Sequence, residues 1–274
     1  MRITKYLVPD RAATSNANRG ARSGSLPAQA VHRSARLTGR RPPGEPVAVS
    51  EVAVLIAALD CEATIGDVVR GALTHVSRVL VVDDGSRDAT ADAATAAGAE
   101  VVRSAANRGK GAALRTGMRI LFERGASHAL TMDGDGQHLA SELPALLRAA
   151  AADPDALVLG ARQNPPGSLA PIRVFGNRFA NRWVRIACGA TLDDTQSGLR
   201  VYPLRATLAL GCRSDRFAFE TEVLIRAVRA GRPLRSVPVA VYNPPPGERA
   251  SHFRGFSDSL RIVLTVVGLI LRVW

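Results

Sequence analysis

The sequence is short of cysteine, aromatic residues and long apolar runs, and each shortage excludes a class of protein. Its three cysteines, Cys61, Cys188 and Cys212, are odd in number, far apart and without a CxxC pair. That argues against a disulfide framework or a zinc knuckle and fits a reducing compartment. Aromatic residues make up 4% of the chain, few for the stacking platform of a nucleic-acid-binding face. The N-terminal stretch MRITKYLVPD has no apolar centre, so it is not a secretory signal. At the C-terminus, RIVLTVVGLILRVW leaves ten residues between Arg261 and Arg272, roughly 15 Å of helix against a hydrocarbon core of about 30 Å. It is too short to cross alone. Arginine-flanked and ending in Trp274, it suits a membrane interface, or else a face packed on the sheet or in a homodimer.

What is present describes a folded protein. The 274 residues are 46% hydrophobic and 22% charged, enough to bury a core in one or two domains. The formal charge of +12 is uneven: residues 1–48 hold nine Lys and Arg against two acids, leaving +5 for everything after them. The pI near 11.1 therefore reflects largely a basic tail, and nucleic acid is not expected as a partner. Arg11 to Pro46 is rich in Ser, Ala, Arg, Gly and Pro without periodicity and reads as disordered. An organellar transit peptide has a similar texture, and so does a start codon placed too early.

From about residue 49 the texture becomes regular. Apolar strand-length runs (VAVLIAAL, RVLVVDD, AEVVRSA, HALTMD, ALVLGAR) alternate with segments of helical spacing (TIGDVVRGALTHV, DATADAATAAG, AALRTGMRILFERG, SELPALLRAAAAD). Strands that are apolar on both faces, alternating with amphipathic helices, predict an α/β fold with a mainly parallel sheet and helices on both faces. In such sheets ligands gather at the carboxyl ends of the strands.

Two predicted strands end in paired acids, Asp83 and Asp84 in VVDDGS and Asp133 and Asp135 in TMDGDGQH. In an extended segment residues i and i+2 share a side, so Asp133 and Asp135 are expected to converge there. Converging carboxylates repel unless a cation lies between them, and a hard divalent ion takes one or two carboxylates and fills its other positions with water and phosphate oxygens. Gln137 adds an uncharged oxygen. Taken alone, Asp-Gly-Asp-Gly also describes a tight turn. NRGKG lacks the G-x-x-x-x-G-K-[ST] spacing of a Walker loop. It reads as a helix N-terminus near the strand ends where a ligand would gather, with Lys110 more often a solvated charge than a ligand contact.

VLIAALDCEATI, VLVVDDGSRDAT, NRGKGAALRTGM, ALTMDGDGQH, LVLGAR, DTQSGLRVY and FAFETEVLIRAVRAG, in that order, resemble the inverting family 2 glycosyltransferases with the Rossmann-like GT-A fold. The subgroup they are most similar to passes a sugar from a nucleotide donor to polyprenyl or dolichyl phosphate. The likeness runs from about Val52 to about Arg254. It implies a glycosyltransferase domain over residues 49–254, between the basic tail of residues 1–48 and an apolar helix over residues 255–274.

The resemblance also implies roles. Asp83 or Asp84 would contact the base and ribose; Asp133 and Asp135 would hold Mg²⁺ or Mn²⁺ on the diphosphate, with Gln137 as ligand or support. Arg162, Arg173 and Asn177 fall where the subgroup binds the acceptor phosphate, a job that suits the arginine fork. Arg249, Ser251 and His252 match a segment closing over the diphosphate, with His252 standing where Lys is usual. Asp194 falls where many members keep an acid near the acceptor, as a base or an orienting group; Asp193 and Asp194 also suit a cap or turn. Glu220 and Glu222 look like the family's acidic pair, or like the first turn of a helix. The expected enzyme moves a hexose from a UDP- or GDP-sugar to a lipid-linked phosphate with inversion, peripherally at the cytoplasmic face of the membrane. The alternative within the fold is a hydroxyl acceptor.

Overall fold

Along β1 (Val52–Ala58) alternate side chains enter opposite cores. Val52, Val54 and Ile56 join one apolar cluster, while Ala53 and Leu55 join another on the other face of the sheet. A strand can do this only when helices cover both faces. The computed structural model shows this arrangement, and it describes residues 48, 51–163, 181–182, 184–186, 189, 194–242 and 268.

After β1 come α1 (Glu62–Leu73), β2 (Val79–Asp83), α2 (Thr90–Ala96), β3 (Glu100–Arg103), α3 (Lys110–Glu123), β4 (His128–Asp133), α4 (Leu143–Ala152) and β5 (Leu157–Arg162). The chain continues with β6 (Arg200–Pro203), α5 (Leu204–Ala209), α6 (Ala218–Arg229) and β7 (Leu234–Val239). Helix α1 buries Ile65, Val68, Val69 and Ala72, and α4 buries Leu143, Leu146, Leu147 and Ala150, the i, i+3, i+4, i+7 stripe of a helix lying on a sheet. Both feed the first cluster. Leu114, Met118 and Leu121 of α3, Leu204 of α5 and Phe219, Val223 and Leu224 of α6 build the second. Fully burying one such side chain contributes about 1.5–3 kcal/mol.

The seven strands lie in the order β3-β2-β1-β4-β6-β5-β7. β1 pairs in parallel with both β2 and β4, whereas β6 runs antiparallel to β4 and β5. Two consequences position the site. The strand order turns between β1 and β4, the place where open α/β sheets bind ligands beyond the carboxyl ends of their strands. Because β6 is reversed, with Thr131 opposite Arg200, the segment leading into it arrives at that same edge. Among the described residues no helix is long and apolar enough to cross a membrane.

Candidate active site

Asp133 is the last residue of β4, as its sequence position suggests, but Asp135 is not part of the strand. Residues 134 and 135 form a turn, closed by Gly136 at φ +73° and tied to α1 by the Thr64 hydroxyl, which donates to the Gly134 carbonyl at 2.6 Å. The extended i, i+2 argument for convergence therefore fails. The two carboxylates are brought together by a glycine turn instead, as the alternative reading of Asp-Gly-Asp-Gly had it. They still oppose each other: burial, then the charge of Asp133, push the Asp135 carboxyl above its ordinary range. Gln137 donates its backbone N–H to Asp135 Oδ1 at 3.1 Å and its side-chain amide to Oδ2, so it supports Asp135.

Lys110 is not a solvated charge. Its side chain is 15% exposed, with Nζ 2.6 Å from Asp133 Oδ1 and 3.1 Å from Glu220 Oε1, and it lies 5.8 Å from the centre of the Phe217 ring. Burial works against its charge, but Asp133 and Glu220 outweigh burial and hold its pKa above the ordinary lysine value. Asp133 responds in kind: burial opposes its ionisation, yet Lys110 and His138 draw it well below the usual carboxylate range. The buried His138 places Nε2 3.2 Å from Asp133 Oδ2. Both Asp133 oxygens are thus held, one by an ammonium and one by an imidazole.

The other acidic strand end does two different jobs. Asp84 accepts the backbone N–H of Arg108 at 3.0 Å and of Gly109 at 2.6 Å, so both its oxygens are committed to the turn that starts α3. Asp83 Oδ1 accepts the Ser86 N–H at 2.8 Å. Its Oδ2 lies 3.1 Å from Nε of the half-exposed Arg103, close enough for an ion pair but misaligned for a hydrogen bond. Nearby, Asp60 and Ser86 interlock the loop after β1 with the loop after β2: Asp60 N–H donates to Ser86 Oγ at 3.0 Å and Arg87 N–H to Asp60 Oδ1 at 2.8 Å.

Arg162 and Asp194, read from sequence as separate functional residues, form one unit. Arg162 donates Nε to Oδ2 at 2.6 Å and Nη2 to Oδ1 at 3.0 Å, the bidentate fork. Burial pushes Asp194 up, but Arg162 more than compensates and its pKa is lowered. A depressed folded-state pKa gives stability that is present above the unfolded carboxyl value near 3.9 and lost as pH falls through the folded value. Asp194→Asn should therefore be less stable than the native protein at pH 7, and the gap should close below about pH 4. Urea melts at both pH values test this, and a gap that persists in acid would refute it.

Two contacts had no role in the sequence reading. A Cβ at Gly198 would lie 2.6 Å from Asp133 Oδ2 and 2.7 Å from Oδ1, so only glycine lets the segment before β6 rest on this carboxylate. Gly198→Ala is expected to displace Asp133 and lower turnover by about 10²-fold, the scale of an ångström misplacement; an unchanged rate in a folded variant would show that this placement is irrelevant. Arg200, fully buried, donates to the carbonyls of Ser197, Glu220 and Thr195 at 2.7, 2.8 and 2.9 Å. One sequence signal was available for Lys110: of 36 basic residues only Lys5 and Lys110 are lysine.

Glu220 and Glu222 part company because two residues along a helix are about 200° apart. Glu220 faces Lys110, while Glu222 accepts the N–H groups of Arg213 and Ser214 at 2.9 and 2.8 Å and Arg226 Nε at 2.8 Å. Arg173, Asn177, Asp193, Arg249, Ser251 and His252, the tail apart from Ala48 and the C-terminal apolar segment apart from Gly268 lie outside the described residues.

Residues 53–195 match the family model for glycosyl transferase family 2. The chain belongs to this family. It is 34% identical over 184 residues to the undecaprenyl-phosphate mannosyltransferase of Micrococcus luteus, spanning 63% of this chain and 74% of that one. It is 31% identical over 173 residues to the polyprenol monophosphomannose synthase of Mycolicibacterium smegmatis, spanning 59% and 65%. Among solved structures, glucosyl-3-phosphoglycerate synthase from Mycobacterium tuberculosis, in complex with Mn²⁺, UDP and glucosyl-3-phosphoglycerate, superposes with a TM-score of 0.63 at 22% identity, over 80% of this chain and 79% of that chain. The family 2 glycosyltransferase described here thus has the expected GT-A fold, a mostly parallel sheet between two helical layers.

Proposed function

We propose that this glycosyltransferase moves a hexose from a UDP- or GDP-sugar to polyprenyl phosphate, with inversion at C1. The observation that carries the reading is the cluster at the end of β4, where Asp133, with Asp135 beside it, binds Lys110 and His138, Lys110 also meets Glu220, and Arg162 pairs with Asp194. Four carboxylates thus gather around Lys110, Arg162, Arg200 and the imidazole of His138. The site's hard oxygen donors fit Mg²⁺ or Mn²⁺. Among the described residues no three His, Cys, Asp or Glu side chains are grouped to hold a metal ion; an ion on Asp133 and Asp135 would take its other ligands from a diphosphate and water. When bound, the ion supplies Lewis-acid stabilisation of the leaving nucleoside diphosphate.

The chain's own residues do the rest. Asp133 and Asp135, with Gln137 bracing Asp135, would hold the ion, and Asp83, buried beneath Arg103, is assigned to the ribose or base in preference to Asp84, both of whose oxygens serve the α3 turn. An acceptor phosphate oxygen attacks C1 as the bond from C1 to the diphosphate breaks, and the negative charge passes to the departing nucleotide. A phosphate acceptor is already ionised and needs no base. That agrees with Asp194, whose oxygens are engaged by Arg162 and whose pKa is held down, in a positional role beside the acceptor. Arg162, Arg173, Asn177, Ser251 and His252 are assigned to the acceptor phosphate and Arg249 to the diphosphate, on family resemblance. The proposed division is a basic tail over residues 1–48, the catalytic domain over 49–254 and an interfacial helix over 255–274, docking the enzyme peripherally on the cytoplasmic face of the membrane. The names of the Micrococcus and Mycolicibacterium relatives support a lipid-phosphate acceptor.

Incubation with UDP-glucose or GDP-mannose, with and without undecaprenyl phosphate, in Mg²⁺, in Mn²⁺ and in EDTA, tests this. Lipid-linked product that requires both the metal and the lipid phosphate is the expected result. Metal-dependent donor hydrolysis with no lipid product would overturn the acceptor assignment and point to a hydroxyl compound.

A further inference from the structure

Lys110 sits where a cation is most wanted. Its ammonium bridges Asp133 and Glu220 at 2.6 and 3.1 Å, and both ends of that bridge are anchored. The backbone at the start of α3 is clamped, with Gly109 N–H donating to Asp84 at 2.6 Å and Ala112 N–H to the Asp215 carbonyl at 3.0 Å. Glu220 is fixed by the Arg200 guanidinium on its carbonyl at 2.8 Å. Between these fixed points hangs a flexible four-carbon stem carrying a compact charge. The choice of residue fits the role: in a chain with 34 arginines and two lysines, the position facing Asp133 holds a lysine, whose ammonium exchanges partners without unmaking a planar two-pronged pair.

We propose that Lys110 is a tethered counter-ion for Asp133, holding that carboxylate in the metal-free enzyme and yielding it to the divalent cation by settling on Glu220. This rests on the reading of Asp133 as a metal ligand. Two cations drawn to one carboxylate repel, so Lys110 must give way, and Glu220 offers the place to go. Lys110 then competes with the ion, and Glu220 favours it by receiving the displaced charge.

The chain's two lysines make the test direct. Selective isotope labelling of lysine in the full-length protein gives side-chain NMR signals from Lys5 and Lys110 alone, and Lys5→Arg assigns them without touching the site. On titration with Mg²⁺, with and without UDP, the Lys110 signal is expected to shift and saturate together with Mg²⁺ binding measured by calorimetry, while Lys5 stays put. In Asp133→Asn both the binding and the shift should disappear. Lys110→Met should bind Mg²⁺ at least about tenfold more tightly, the scale of removing one like charge from a partly buried site, and Glu220→Gln should bind it several-fold more weakly. Mg²⁺ binding that depends on Asp133 but leaves the Lys110 signal unmoved would overturn the exchange and leave the metal site standing. Absence of Mg²⁺ binding, with or without UDP, would remove both.

Discussion

Asp135→Asn lowers turnover by about 10²- to 10³-fold, the range for losing one preorganised electrostatic contact to the transition state, while the melting temperature holds or rises. The second half of this expectation comes from the local electrostatics. Burial and the charge of Asp133 already push the Asp135 carboxyl upward, so neutralising it relieves a repulsion. Asn keeps an oxygen for the Gln137 N–H that Asp135 accepts at 3.1 Å. Activity and stability should therefore move apart, as expected where a charge is kept for function at some cost to the fold. Parallel assays of transfer rate and thermal melting check this. A folded Asp135→Asn protein with near-native turnover would sink the metal assignment, and one that melts far lower would show Asp135 to be structural.

Arg200→Met behaves in the opposite way, losing stability first. The guanidinium is fully buried, and its three donors satisfy the carbonyls of Thr195, Ser197 and Glu220, binding the segment before β6 to the start of α6. Methionine fills much of the volume but withdraws three hydrogen bonds from carbonyls and one of the positive charges near Glu220 and Asp194, which keep only Lys110 and Arg162. Removing one side of a buried ionic network costs about 3–5 kcal/mol, a large share of the 5–15 kcal/mol that separates most folded domains from unfolding. Urea unfolding of the two proteins measures the difference. A loss under about 1 kcal/mol would mean that water replaces the guanidinium freely, contrary to its complete burial.

Because side-chain polarity follows the period of the backbone, the sequence by itself determined β1 to β5, α1 to α4 and the α/β class. Apolar runs such as VLIAA and VLVV, set between segments of helical spacing, demand a sheet covered on both faces. It also placed acids at two strand ends, because a charge that follows a buried run has nowhere to sit but the edge. What it left undecided are contacts between residues far apart in the chain. Asp133 and Asp135 meet through a glycine turn rather than along a strand, and Lys110 lies between carboxylates 23 and 110 residues away. Glu220 and Glu222 divide between site and scaffold because a helix turns them apart. Above all, the reversal of β6 was hidden in RVYP, four residues with no pattern of their own. That reversal brings Gly198 and Asp194 to the edge where β4 and β5 end. Strand order and direction are settled by how the whole sheet packs, and it is this packing that makes a site from acids and bases scattered along the chain.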